Sequence, residues 1–225
     1  MNTTKLVARK GILVVLSGGL DSALVLAWAK RQQVAVYAVG FDYGQRNVVE
    51  LDYATRLCAK WGVPFKLVQL GTIFQQVTES PYLKKTGTLD VLDNHQREGW
   101  YVPNRNAILL GLAHAWAQKL DCGLLATGLM AEGGLDATRE FTDLLLHALN
   151  VGANGSIQIE NPVQNQTKAK IYAQAESWGV LREMVEDTLS CYEGVDTQHE
   201  WGRGCATCWT CAGRIYGWQQ WKGPQ

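Results

Sequence analysis

The run Gly11-Ile12-Leu13-Val14-Val15-Leu16, followed at once by Ser17-Gly18-Gly19-Leu20-Asp21-Ser22, decides the fold. A short apolar run closed by a glycine turn predicts a buried strand. From Asp21 to Gln32 the apolar residues Ala23, Leu24, Leu26, Ala27 and Trp28 take helical spacing, so the turn leads a strand into a helix. Two adjacent glycines let the backbone approach an anion without Cβ clashes. The N–H groups of the turn and the hydroxyls of Ser17 and Ser22 can cradle phosphate oxygens, with the positive end of the helix aimed at the same place. Leu16, Ser17, Gly18, Gly19, Leu20, Asp21 and Ser22 are therefore the candidate phosphate-binding residues. The turn lacks the Lys of a Walker A loop, the spacing of the dinucleotide fingerprint, and the Gly-x-Ser-x-Gly pattern of a nucleophile elbow.

Outward from this unit the chain alternates. Strands are expected at Val34–Gly40, Phe65–Leu70 and Gly123–Thr127. Helices are expected at Arg46–Trp61, Asn106–Lys119, Phe141–Asn150 and Lys168–Trp178. Such βαβα order predicts an α/β fold with a doubly wound, mostly parallel sheet, whose ligands bind beyond the carboxyl ends of the strands. Between Leu70 and Val102 the periodicity fades, and this long irregular segment, which includes the polar run Asp90–Glu98, reads as a functional flap. After Thr188 the composition shifts to Cys, Gly and Trp, so residues 1–187 are read as the α/β domain and 188–225 as a metal-knit appendage.

Composition narrows the function classes. The chain has 225 residues, 47% hydrophobic and 19% charged, enough to bury a core without disulfides. Its 21 basic and 21 acidic side chains cancel, leaving no global basic field of the kind a dedicated DNA-binding protein carries. Apolar runs such as Ile12–Leu16 fall far short of the roughly 18–20 residues that span a bilayer. Met1–Lys10 shows no apolar signal segment, so a cytoplasmic protein with reduced thiols is expected. Four of the six cysteines are packed into Cys191-x13-Cys205-x2-Cys208-x2-Cys211. Four thiolates at such spacing suit a closed, structural Zn²⁺ site; successive x2 spacings also occur in iron–sulfur ligation, and a plain set of buried cysteines is the bland alternative. Cys58 and Cys122 read as small core hydrophobes.

The glycine turn resembles the pyrophosphate loop of the N-type ATP pyrophosphatases, whose leaving group is pyrophosphate rather than a γ-phosphoryl group. The longer series is more specific: Phe41-Asp42-Tyr43-Gly44-Gln45-Arg46, Val102-Pro103-Asn104-Arg105-Asn106, Thr127-Gly128, Arg139-Glu140-Phe141, Pro162-Val163 with Lys168, and Thr188-Leu189-Ser190-Cys191-Tyr192 ahead of the remaining cysteines. From about Gly11 to Arg214 it resembles the 7-cyano-7-deazaguanine synthase family. That resemblance implies the adenine nucleotide alpha hydrolase-like (HUP) fold with a C-terminal four-cysteine zinc tail, and a homodimer. It implies conversion of 7-carboxy-7-deazaguanine to the nitrile with ammonia and two ATP, Mg²⁺ accompanying the nucleotide and one structural Zn²⁺ held by Cys191, Cys205, Cys208 and Cys211. Ser17, Asp21 and Ser22 would act at the phosphates, with Arg105, Arg139 and Lys168 stabilising their charge. Phe41 or Tyr43 would stack on the base. Asp42 and Glu140 would pair with the donor edge of the guanine-type ring, and Gln45, Arg46 and Asn106 would complete the substrate pocket.

Two departures stand out. Asn104 occupies a position where the family carries a small residue. Leu129–Arg139 is shorter than the family pattern and lacks its proline and aromatic. The second departure keeps open a relative that adenylates a deazaguanine carboxylate and delivers it to another amine, a protein terminus or a small molecule. A zinc-ribbon module that binds nucleic acid is a third reading. Arg203, Arg214 and Trp209 would favour it, and Glu193, Asp196 and Glu200 oppose it.

Overall fold

A computed structural model describes residues 11–83, 101–130 and 134–223. The opening run forms β1 (Ile12–Val15) and the turn delivers the chain into α1 (Leu20–Lys30). Next come β2 (Val36–Asp42), α2 (Glu50–Trp61), β3 (Phe65–Gln69), α3 (Arg105–Lys119), β4 (Leu124–Ala126) and α4 (Arg139–Ala153). The chain continues through β5 (Gln158–Glu160), α5 (Lys168–Ser177), α6 (Leu181–Glu186), a ribbon of β6 (Gln198–His199) and β7 (Gly202–Arg203), and α7 (Trp209–Lys222). The five-stranded sheet has the order β3-β2-β1-β4-β5, and its pairs are all parallel, with Val14 opposite Ala38 on one side and Ala126 on the other.

Side-chain alternation sorts β1 between two cores. Ile12, Val14 and Leu16 face Ala23, Leu24 and Leu57 on the α1–α2 side, where Ile171 and Tyr172 of α5 join them. Leu13 faces the other way, with Phe41, Leu110, Ala113 and Leu146, against α3 and α4. A sheet covered on both faces is why these strands read as continuous apolar runs. The order reverses at β1, so the crevice between the carboxyl ends of β1 and β4 is the switch point where such sheets bind ligands.

Three of the departures from the sequence expectation bear on the site. Helix α2 starts at Glu50 rather than Arg46. Gln45 folds back to accept a hydrogen bond from the Tyr43 N–H at 3.0 Å and to donate to the Phe41 carbonyl at 3.1 Å, so its side chain ends β2 instead of opening a helix. Strand β5 carries one inward apolar residue, Ile159, too few to show a period. The tail holds a full helix, α7, packed along α5. A Cβ on its Gly217 would lie 2.2 Å from the Lys168 Cβ, so the two helices meet at a distance only glycine allows. Cys191, Trp201, Cys211 and Trp218 belong to the same buried cluster as Ile12 and Val14. The buried guanidinium of Arg214 joins the parts further, donating to the Met184 carbonyl at 3.0 Å and the Trp201 carbonyl at 3.2 Å. Of the Leu70–Val102 stretch expected as a flap, two 3₁₀ turns place Phe74, Tyr82 and Leu83 in the α3-side core, so that part is packed, whereas residues 84–100 lie outside the described residues, as does Met1–Lys10.

Candidate active site

A cavity of about 880 Å³ opens at the switch point. One end is built by the glycine turn. Gly18 has φ +97°, and a Cβ there would sit 2.0 Å from the Glu50 carbonyl oxygen. Across the crevice a Cβ on Gly128 would come within 2.9 Å of the Ser22 nitrogen, so β4 approaches the start of α1 as closely as backbone permits. The turn is internally braced: the Gly19 N–H donates to Ser17 Oγ at 3.3 Å and Ser22 Oγ donates to the Gly19 carbonyl at 3.1 Å. The tail clips onto it. The Leu189 N–H donates to the Gly18 carbonyl at 3.0 Å, and Ser190 Oγ accepts the Leu20 N–H at 3.1 Å.

Lys168 is the first residue of α5, behind the cap Thr167, whose hydroxyl accepts the Lys170 N–H at 3.3 Å. Its Nζ reaches both oxygens of Asp21 at 2.6 Å. Two helix N-termini thus converge on the turn, an anion-favouring arrangement, while the Lys168 charge is offset by Asp21. Thr127 Oγ1, at the end of β4, is buried on the cavity wall and has no hydrogen-bond partner among the described residues. An orphaned buried hydroxyl of this kind is costly unless a ligand satisfies it.

The other end is aromatic and titratable. Tyr82 packs edge-on to Tyr192 with ring centroids 5.5 Å apart, and its hydroxyl donates to Asn47 Oδ1 at 3.0 Å. The Arg105 guanidinium lies 5.5 Å from the Tyr82 ring. Burial opposes the Arg105 charge, but the oxygens of Tyr43, Tyr82 and Tyr192 outweigh it and raise its pKa. Burial likewise pushes the Tyr192 phenol up to about 12. Glu50, on the first turn of α2, is pushed up to about 8 by burial, against the Arg105 charge and an Asn47 hydrogen bond that favour the carboxylate.

A carboxyl raised in the folded state binds a proton that the unfolded chain has released, so stability falls as pH rises from about 4.5 toward about 8. Glu50→Gln is therefore expected to flatten the pH dependence of the melting temperature across that window and to stabilise the chain most at pH 8. Parallel melts of both proteins between pH 5 and 8 check this, and an unchanged slope counts against a buried, protonated Glu50.

The four tail cysteines gather near the cavity. Their sulfurs lie within 4.8 Å of one another, with Cys191–Cys208 and Cys205–Cys211 separations of 3.9 Å. Tetrahedral bonds of about 2.3 Å to one ion set sulfurs about 3.8 Å apart, so the group can hold a metal ion. The Cys208 N–H donates to Cys205 Sγ at 3.2 Å, an interaction that favours thiolate. Cys58 and Cys122 lie elsewhere, with burial pushing their thiols up to about 12 and about 11, as expected of inert core residues.

The profile of the family described as "Queuosine biosynthesis protein QueC" matches residues 11–222. The chain belongs to the QueC family. It is 33% identical to a 7-cyano-7-deazaguanine synthase of Helicobacter acinonychis (strain Sheeba) over 217 residues, covering 93% of this chain and 96% of the relative. It is 34% identical to a 7-cyano-7-deazaguanine synthase of Wolinella succinogenes over 218 residues, covering 93% of each. Among solved structures, an NMN synthetase from Francisella tularensis matches with a TM-score of 0.52 at 14% identity, covering 86% of this chain and 71% of that one. An NH3-dependent NAD synthetase from Campylobacter jejuni matches with a TM-score of 0.50 at 22% identity, covering 80% and 70%. At those identities the likeness is one of fold. Membership makes the chain an enzyme of queuosine biosynthesis on a HUP-type fold.

In this QueC family member the cavity wall includes Leu16, Ser17, Gly19, Asp21 and Ser22 at the turn. Phe41, Tyr43, Gln45, Arg105, Asn106 and Lys168 line the remainder among the residues singled out in the sequence. Gly18 and Leu20 shape the turn from behind, with Leu20 fully buried. Four residues are not brought to the wall. Asp42 turns its carboxylate to the Gly44 N–H at 3.1 Å, and Arg46 pairs with Glu193. Arg139 is exposed and pairs with Asp143 at 2.8 Å, and Glu140 is exposed beside it. The Thr138 hydroxyl caps α4 by accepting the Phe141 N–H at 3.2 Å, and the two residues it leads stand in the solvent-facing first turn. Residues 131–133, within the short Leu129–Arg139 stretch, lie outside the described residues. Sequence reasoning missed Glu50, Asn47 and Tyr82 as wall residues.

Proposed function

We propose that this enzyme adenylates the carboxylate of 7-carboxy-7-deazaguanine with ATP and uses ammonia to form 7-cyano-7-deazaguanine. The observation that carries the reading is one cavity with the glycine turn and two helix N-termini at one end and a buried aromatic wall that includes Glu50. ATP phosphates would rest on the N–H groups of Gly18 to Leu20 and on the Ser17 and Ser22 hydroxyls. Lys168 would leave Asp21 in part to neutralise charge developing on the departing pyrophosphate. Asp21 would be the carboxylate that meets Mg²⁺ carried in with the nucleotide, which would supply further charge neutralisation. Thr127 Oγ1 would find its partner on the ligand.

The chemistry follows from leaving groups. A substrate carboxylate oxygen attacks the α-phosphorus, the bond to the β-phosphate oxygen breaks, and pyrophosphate leaves. Ammonia adds to the acyl carbon, AMP departs, and an amide forms after loss of a proton. A second ATP adenylates the amide oxygen; AMP leaves with that oxygen as two N–H protons are lost, giving the nitrile. The protein's share is to hold reactants in line and stabilise phosphate charge. Arg105 adds a positive charge that suits an acidic heterocycle.

The four-sulfur group fits Zn²⁺ with no open position, so its part is structural. Among the described residues no helix is long and apolar enough to cross a membrane. The resemblance extends the reading to a homodimer, which light scattering during size exclusion checks.

The short Leu129–Arg139 stretch favours a second reading, transfer of the adenylated acid to another amine. Mass spectrometry of products from ATP and the acid, with and without ammonia, separates the two. Nitrile, AMP and pyrophosphate are expected when ammonia is present. Accumulation of an adenylate or amide supports the second reading, and formation of ADP alone rejects both.

A further inference from the structure

Resting on the proposed substrate, we infer that Glu50 is the specificity-determining residue that reads the donor edge of the guanine-like ring. Such a ring presents an N1–H and an exocyclic 2-amino group side by side, two parallel donors that a carboxylate can accept together. Among the described residues only two carboxylates line the cavity, Asp21 and Glu50. Asp21 stands at the phosphate end with both oxygens held by Lys168 at 2.6 Å. Asp42 and Glu140, the acidic residues the sequence suggested for this edge, do not reach the wall. Glu50 remains: its backbone abuts Gly18, and its carboxyl is within electrostatic reach of Tyr43, Tyr82 and Tyr192, among which a flat ring would sit.

Its neighbours complete the pattern. Guanine-type rings carry an acceptor, the 6-oxo group, next to N1–H, and Arg105 is the cation whose field reaches Glu50. A glutamate on the wall with an arginine in electrostatic reach thus offers an acceptor for the two donors and a cation for the 6-oxo group, and a hypoxanthine-type ring leaves one Glu50 oxygen without its donor. Burial sharpens the choice, since water cannot replace a missing partner. The groups facing Glu50 are Asn47 on its own turn, Arg105 of α3, and the phenols of Tyr43, Tyr82 and Tyr192. Burial also keeps the carboxyl protonated up to about pH 8 until strong donors arrive, a penalty that only a ligand offering them offsets.

Titration calorimetry on the full chain with 7-carboxy-7-deazaguanine and its 2-desamino analogue tests this, with α,β-methylene-ATP reporting an intact phosphate end. Wild type is expected to bind the desamino analogue about 10- to 100-fold more weakly. Glu50→Gln, which keeps the shape but turns a donor toward the donors, is expected to weaken binding of the guanine-type acid by a similar factor and to bind the two ligands alike. Equal binding of both acids by wild type, or discrimination retained in Glu50→Gln, overturns the inference and leaves the proposed function standing. Wild type that binds neither acid overturns both.

Discussion

Lys168→Met is expected to lower pyrophosphate release by about 10³-fold while leaving the fold in place. Among the described residues the Lys168 ammonium is the cation in contact with the acidic side of the glycine turn, 2.6 Å from each Asp21 oxygen. In the transition state of adenylation, negative charge grows on the bridging oxygen of the leaving pyrophosphate. A positioned ammonium in a partly closed cavity counters that charge far better than water does. Met keeps the unbranched stem that packs against Gly217 of α7, so the helix pair that positions the site survives. The pair with Asp21 is a quarter exposed, and pairs so placed contribute at most about 1 kcal/mol to stability. A large loss of rate with a small change in melting temperature therefore marks Lys168 as a group acting on phosphate. Phosphate-coupled detection of pyrophosphate at saturating ATP and acid measures it. Release within tenfold of wild type removes Lys168 from the mechanism. Ser17→Ala, which deletes one hydroxyl donor but leaves the backbone cradle, is expected to fall between the two.

How far the sequence discloses this site depends on where each residue's signal lies. The β1–turn–α1 unit is legible because burial on both faces and an anion cradle each leave a local mark: an apolar run, then two glycines. The tail cysteines are legible because ligands must recur at short spacing. Helix α7 is not, since its buried face is made of Cys211, Arg214, Gly217 and Trp218, residues that share no apolar period. Arg214 and Gly217 serve contacts from far along the chain, Met184 and Lys168, that no window of sequence contains. Glu50 is hidden for a related reason: an acidic residue in the first turn of a helix normally complements the helix dipole in solvent. Only the gathering of Tyr43, Tyr82, Tyr192 and Arg105 of α3 near it converts that ordinary residue into a buried acid. Arg139 and Glu140 fail in the opposite sense. They lie close in sequence to the crevice strand β4, but the Thr138 cap fixes the start of α4 and leaves both in water.

Cys208→Ser is expected to reduce bound zinc to well below one per chain and to lower the melting temperature by about 10 °C or more. Cys208 caps α7 and lies 3.9 Å, sulfur to sulfur, from Cys191. A closed four-thiolate site contributes folding free energy directly, because the unfolded chain does not assemble it. Here the consequence reaches beyond the tail. Cys191 directly follows Leu189 and Ser190, whose backbone N–H and hydroxyl hold the Gly18 carbonyl and the Leu20 N–H. Cys211 anchors the first turn of α7, which packs on the helix that carries Lys168. Loss of the metal should thus loosen the phosphate turn and the Lys168 backbone together. The variant is expected to bind α,β-methylene-ATP at least about tenfold more weakly at a temperature where it is still folded, since a cap contact of this kind is worth about 1–2 kcal/mol. Elemental analysis, calorimetric melting and nucleotide titration on the same preparation check the three effects. Ser190→Ala separates them: it removes the Leu20 contact without touching a sulfur, so nucleotide affinity should fall while metal content stays full. Full zinc occupancy and an unchanged melting temperature in Cys208→Ser would mean that the sulfurs do not form the site their geometry describes.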